Sequence, residues 1–153
     1  MATEQKRGRK IAMTDEERNA FLAEERVVRV ATVGESGPHA TPLWFVWDGE
    51  HFWLHSLTRS QRWADIMRRP RIAVVVDAGH DYFELRGVEI VGDAEVIGET
   101  PRLGDPEPLL ETPERLFAQK YMGIDEMVYD GKHGWLRITP VSIKSWDFRK
   151  LGA

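Results

Sequence analysis

Val27-Val28-Arg29-Val30-Ala31-Thr32-Val33, then Gly34-Glu35-Ser36-Gly37-Pro38, then His39 to Trp47, Asp48-Gly49 and His51 to Leu57 form the stretch that decides the fold. The first segment is β-branched, the glycine-proline cluster is turn chemistry, and Asp-Gly marks a tight hairpin. Strands joined by turns this short pair antiparallel, because parallel neighbours need crossovers of about a dozen residues or more.

Upstream, Thr14-Asp15-Glu16-Glu17 has the spacing of a capping box and predicts a helix to about Glu25. Downstream, Ser60 to Arg69 places Trp63, Ile66 and Met67 on one face of a helix that Pro70 stops. Ile72 to Val76 is an apolar run of strand length, and Tyr82 to Arg86 predicts a short strand. From Val88, apolar Val88, Ile90, Ala94 and Val96 alternate with Glu89, Asp93 and Glu95, the pattern of a half-buried strand. Residues 101–113 hold four prolines and several acids and predict a surface loop. Thr112-Pro113 then begins a helix that ends near Gly123. Two strands, Trp135 to Thr139 and Val141 to Phe148, close the chain. The fold class is α+β, mainly β: six to seven short antiparallel strands in a closed or nearly closed barrel, with peripheral helices.

Composition narrows the function classes. The chain has 153 residues, 42% apolar and 30% charged, which fits one ordinary globular domain. It contains no cysteine, so disulfides, thiolate metal sites and cysteine nucleophiles are excluded, and a reducing cytoplasm is the expected compartment. No apolar stretch approaches the roughly 20 residues of a membrane helix. Positive charge at Met1 to Arg9 is followed by no hydrophobic segment, so no signal peptide is expected. Residues 1–12 read as a flexible basic arm ahead of a folded domain at 13–153. The first ten residues carry a net +3, which leaves −7 on the rest of a chain of net charge −4. An acidic body repels a phosphate backbone, and no nucleic-acid partner is expected.

Known catalytic motifs are missing. There is no Gly-x-Gly-x-x-Gly after a strand, no phosphate-binding P-loop, no His-Glu-x-x-His and no Gly-x-Ser-x-Gly. The histidines are scattered, and no metal site is expected. If the chain is an enzyme, a bound cofactor carries the difficult chemistry.

Two features point to such a cofactor. Trp44 to Trp53 packs five aromatic residues into ten, with Pro42, Trp44 and Val46 on one strand face and Leu43, Phe45 and Trp47 on the other. Both faces need cover; the second cover is a helix, another subunit or a flat aromatic ligand. The other feature is Ser56-Leu57-Thr58-Arg59-Ser60-Gln61-Arg62 at the start of the next helix. Arg59 and Arg62 stand at the helix pole that favours anions, unlike Arg68 and Arg69 in the last turn. A bound phosphate explains that placement. So does a plain helix start, with Ser60 as cap and Arg62 paired to Asp65.

At these residues the chain resembles the split-barrel superfamily of pyridoxamine 5′-phosphate oxidase, and within it the F420-dependent B group of flavin/deazaflavin oxidoreductases. The likeness covers about Thr14 to Leu151. It is carried by Arg29 to Val33, Thr41 to Val46, Ser56 to Arg62, Pro70 to Asp77, Leu85 to Glu89 and Ser145 to Lys150. The resemblance implies a split β-barrel homodimer with cofactor grooves between the subunits. It places Thr41, Pro42, Leu43 and Trp44 along the cofactor ring, and Ser56, Leu57 and Thr58 at its polar edge. Arg59, Ser60 and Arg62 fall at the phosphate, with Trp146 and Arg149 reaching the groove from the last strand. The expected cofactor is coenzyme F420, with FMN as the alternative, and the expected activity is hydride transfer to an unsaturated small molecule. A non-catalytic dimer that holds a flavin or haem is a further alternative. No proton donor is assigned; His55, Tyr82 and solvent are candidates. The arginine-led strand and the C-terminal arginine-histidine pair of the vitamin B6 oxidases have no counterpart, so oxidation of vitamin B6 is not expected.

Overall fold

The computed structural model describes residues 2–152. Helix α1 (Asp15–Glu24) opens on the predicted capping box, with Thr14 Oγ1 accepting the Glu17 N–H at 3.1 Å. Strands β1 (Val28–Gly34) and β2 (Gly37–Leu43) form a hairpin, and β3 (Phe45–Trp47) pairs with β4 (Phe52–Leu57) across the Asp48-Gly49 turn. Then come α2 (Gln61–Arg68), β5 (Arg71–Ala78), β6 (Arg86–Ile97), α3 (Glu111–Phe117) and β7 (His133–Asp147). All seven strands join one antiparallel sheet in the order β2-β1-β5-β6-β7-β4-β3, curled into the split barrel that the resemblance implies.

The sheet curls because its long central strands pair differently along their length. Strand β7 pairs with β6 over Trp135 to Asp147 but with β4 only over His133 to Ile138. Alternate residues then fill two cores. Phe45, Phe52, Leu54, Leu136 and Ile138 face the barrel interior with Val28, Val30, Val74 and Ile90. Val46, Trp53, Ile97 and Trp135 face outward, where Leu110 and Phe117 from the α3 region cover them. At roughly 1.5–3 kcal/mol per fully buried large side chain, both layers contribute substantially to stability.

The structure corrects several expectations. His39 to Trp47 is two strands, broken at Trp44, because Tyr121 supplies the hydrogen bonds there: its hydroxyl accepts the Phe45 N–H at 3.1 Å and donates to Arg26 O at 2.7 Å. The predicted sharing of faces by Pro42, Trp44 and Val46 ends at that break. Tyr82 to Glu84 is a 3-10 turn, not a strand. The two closing strands are one, since a bulge at Val141 takes up the extra residue and lets Pro140 sit opposite Gly92 without breaking the ladder. Met67 is exposed, and Asp65 takes its place on the buried face of α2. Helix α3 begins at Glu111, and its chain continues as a π-turn to Gly123, whose positive φ ends it. In the segment expected to be a surface loop, Arg102 is buried.

The first residues lie against β7. Thr3 forms a parallel bridge to Ser142, and the Gln5 side-chain amide exchanges hydrogen bonds with the Ser145 backbone. They occupy the edge of β7 that β4 does not reach.

Candidate functional site

The end of β4 and the start of α2 bring most of the predicted residues together. Ser60 caps α2, its hydroxyl accepting the Trp63 N–H at 3.1 Å and donating to Leu57 O at 2.8 Å. The cap of the plain helix reading is present; its ion pair is not. Asp65 turns into the barrel wall, accepting from Gln61 at 2.8 Å and Thr32 at 3.1 Å, with His39 at 3.0 Å. Gln61 first, then His39 and Thr32, hold its carboxyl below the usual range against the effect of burial.

Arg62 goes elsewhere. Its Nη1 donates to Thr41 Oγ1 at 2.7 Å and its Nε to Ser56 Oγ at 3.3 Å, so it bridges β2 and β4 across the split of the barrel. Among the described residues, the ion pairs involve neither Arg59 nor Arg62. Burial pulls the Arg62 guanidinium below its usual pKa, yet an arginine stays charged in proteins. A half-buried cation with only hydroxyl partners retains unused capacity for an anion.

Where β4 ends, a cleft of about 530 Å³ opens between Leu57, Thr58, Arg59 and Ser60 and the facing Pro101, Gly131 and Lys132. The register of Leu57 opposite His133 holds its two walls together, and Thr58 N–H donates to Lys132 O at 3.0 Å. The cleft therefore carries two cations from different elements. Thr58 and Ser60 spend their hydroxyls on Lys132 O and Leu57 O in this arrangement.

The aromatic hairpin is largely used up internally. Trp53 and Phe52 are buried in opposite cores, Phe45 stacks on Phe52 at 4.8 Å, and Trp47 donates to Asn19 at 2.8 Å. The second cover is thus the chain's own α3 region. Trp44 alone remains 45% exposed, stacked on Tyr121 with ring centroids 4.3 Å apart. Burial raises the Tyr121 hydroxyl to about 12, so it stays protonated and holds the ledge beneath Trp44. Leu43 packs against the barrel core, while Pro42 stands exposed opposite Arg29.

Trp146 and Arg149 lie elsewhere in the chain. Trp146 pairs with Gly87, where an added Cβ would come within 2.4 Å of its ring, and Arg149 pairs with Asp147 at 2.7 Å. Gly134, not Trp146, is the β7 residue opposite Ser56, and Trp146 sits twelve residues farther along the strand.

Sequence reasoning missed the part of the far wall that residues 130–133 form. His55 stacks on His133 at 4.5 Å and 11°, and contacts Phe117 and Trp135. Burial first, then the neighbouring His133, drives the His55 pKa down to about 3, so it is neutral at ordinary pH. Asp130 Oδ1 accepts the N–H groups of Lys132 and His133, at 2.8 and 3.1 Å, and its other oxygen holds the His133 imidazole. Burial works to raise the Asp130 carboxyl, but these bonds hold it at about 2. An Asp-Gly turn before a strand was visible at Asp130-Gly131; its meeting with residues 57–60 depends on strand register alone.

Behind this wall, Arg102 makes a bidentate pair with Glu114 at 2.9 and 3.1 Å and also binds Glu99. Glu114 further accepts from Tyr129 at 2.9 Å and Trp135 at 3.0 Å. This buried network fixes residues 99–114, including Pro101 at the cleft.

Three findings concern relatives. The family model described as pyridoxamine 5′-phosphate oxidase matches residues 14–147. A conserved hypothetical protein from Mycobacterium tuberculosis is similar in structure, with a TM-score of 0.77 and 31% identity over 99% of this chain and 94% of that one. The fold is also similar to an F420 reductase (TM-score 0.61, 21% identity, 82% of this chain and 94% of that one). It is similar as well to the haem storage protein HutZ from Vibrio cholerae (TM-score 0.66, 13% identity, 86% and 94%). Among curated proteins no significant relative is found.

Proposed function

The chain belongs to the pyridoxamine 5′-phosphate oxidase family, and from that premise we propose that it is an oxidoreductase that binds coenzyme F420 and delivers a hydride to an unsaturated small molecule. Arg62 carries the reading: a half-buried guanidinium held only by the hydroxyls of Thr41 and Ser56. Its remaining donors, with the cations Arg59 and Lys132 at the neighbouring cleft, have the chemistry of a phosphate cradle. Trp44, exposed on its Tyr121 support, offers one flat apolar face of the kind a ring system stacks on.

When bound, a reduced deazaflavin supplies the hydride. The chain's residues bind and orient. Arg62 and Arg59 hold the anionic end, Pro42, Leu43 and Trp44 limit the ring's position, and Leu57 keeps water from one side. Within one protomer Trp146 and Arg149 stand away from the cleft, and the proposal assigns them to the groove of the partner in a homodimer. The unit concerned is residues 13–153, and the cysteine-free composition favours a cytoplasmic setting. Among the described residues no helix is long and apolar enough to cross a membrane.

FMN is the second reading, because it carries a single phosphate and needs none of the further cations that the lactyl-polyglutamate tail of F420 requires. A titration of the purified protein with F420, FMN and FAD separates the two. Saturable F420 binding that weakens about 10- to 100-fold in Arg62→Ala, the loss of one charged hydrogen-bonding group, supports the proposal. No detectable F420 binding at tens of micromolar overturns it, and a yellow FMN-loaded protein replaces it with the second reading.

A further inference from the structure

Lys120 lies outside the candidate site, on the π-turn that follows α3. Its Nζ donates to Leu22 O at 3.0 Å, sits 3.9 Å above the Phe45 ring centroid and lies 5.5 Å from that of Tyr121. Beside it opens a cleft of about 380 Å³, whose walls include Leu22, Val46, Trp47 and Leu116. The charged groups around the amine are Arg26, which also faces Tyr121, Glu24 on the cleft wall and Glu25; Lys120 is in none of the ion pairs among the described residues. The amine thus has one carbonyl acceptor, aromatic faces and an apolar cleft where a surface lysine would have water.

We propose that Lys120 is a reactive-amine site that condenses with an apolar aldehyde bound in this cleft. Desolvation and a neighbouring cation are the two devices that make a lysine nucleophilic near neutral pH. Here they are supplied by the Leu22-Val46-Leu116 lining and by Arg26. Burial first, and then Arg26, bring the amine's pKa down to about 8, while Glu25 opposes the shift. A substantial fraction is therefore unprotonated at physiological pH. The free amine adds to the aldehyde carbon, proton transfer gives a carbinolamine, and loss of water gives the imine. No oxidant or reductant enters, and hydrolysis reverses the step.

Butyraldehyde with cyanoborohydride trapping, followed by peptide mapping of each lysine, tests this. At pH 7.5 Lys120 is expected to carry at least fivefold more adduct than Lys6, Lys10, Lys132, Lys144 or Lys150. Its labelling rate is expected to rise with a midpoint near pH 8, and Arg26→Ala is expected to move that midpoint upward. Lys120→Arg, which keeps a donor for Leu22 O, removes this adduct and leaves the others. Labelling of Lys120 no faster than that of the other lysines, or a midpoint near 10, overturns the proposal on the unmodified chain alone. Cofactor binding does not enter the outcome.

Discussion

Two arginines divide the molecule between architecture and ligand binding. Arg102 is 4% exposed and saturated: Glu114 grips it bidentately, Glu99 closes on it, and these partners raise its pKa against the effect of burial. Arg62 is half-buried and meets only two hydroxyls, and burial lowers its pKa. One positive charge has its counter-charge inside the chain; the other has none there. The difference teaches where to look for a ligand: at a desolvated cation whose partners are neutral. His55 is the instructive third case. It is also half-buried without an ion-pair partner, but an imidazole can give up its proton and an arginine cannot.

The comparison is broken most forcefully at Arg102. Arg102→Ala strands Glu114 in a buried setting and is expected to cost about 3–5 kcal/mol in denaturant unfolding. A loss below about 1 kcal/mol would mean that the network is dispensable. Arg62→Ala is expected to reverse the pattern, with stability falling by less than about 1.5 kcal/mol because only hydroxyl bonds are lost. Unfolding and ligand titration on the same preparation show whether affinity is hit harder than stability.

The His55 contrast is sharpened by pH. Its folded pKa of about 3 lies below the unfolded value near 6.5, so the unfolded chain binds the extra proton. Its contribution is complete above pH 6.5 and is lost as pH falls toward 3. The stability of the wild type minus that of His55→Gln should therefore shrink between pH 6.5 and 5; a flat difference would show that His55 is solvated. The smallest effect is expected at Trp44. Trp44→Ala loses one aromatic stack, about 0.5–1.5 kcal/mol, and a red-shifted contribution to tryptophan fluorescence. A larger loss would place Trp44 in the core and remove the ledge from the candidate site.

Much of the fold was legible because its signals are local. The Thr14 box, the Gly34 to Pro38 turn, the Asp48-Gly49 hairpin and the Ser60 cap each depend on residues within four positions of one another. Errors came where a distant group intervened. Tyr121 broke the strand at Trp44, and a bulge at Val141 carried β7 through Pro140. Arg102 was assigned to solvent because a Pro-rich stretch offers no hint of Glu114 twelve residues away. At the site, the Ser56 to Arg62 segment was readable as a cation-bearing helix start, but its two arginines looked alike.

Residue order by itself determined the period-2 strands, the caps, the turns and a cation-bearing helix start with Asp65 within reach of Arg62 along the chain. Only the three-dimensional packing decided that Asp65 faces the barrel wall, leaving Arg62 to Thr41 and Ser56, and that Lys132 stands across from Arg59. The physical reason is range. Backbone conformation answers to neighbours along the chain, whereas the partner of a buried charge is chosen by strand register and sheet curl, which bring together residues dozens of positions apart.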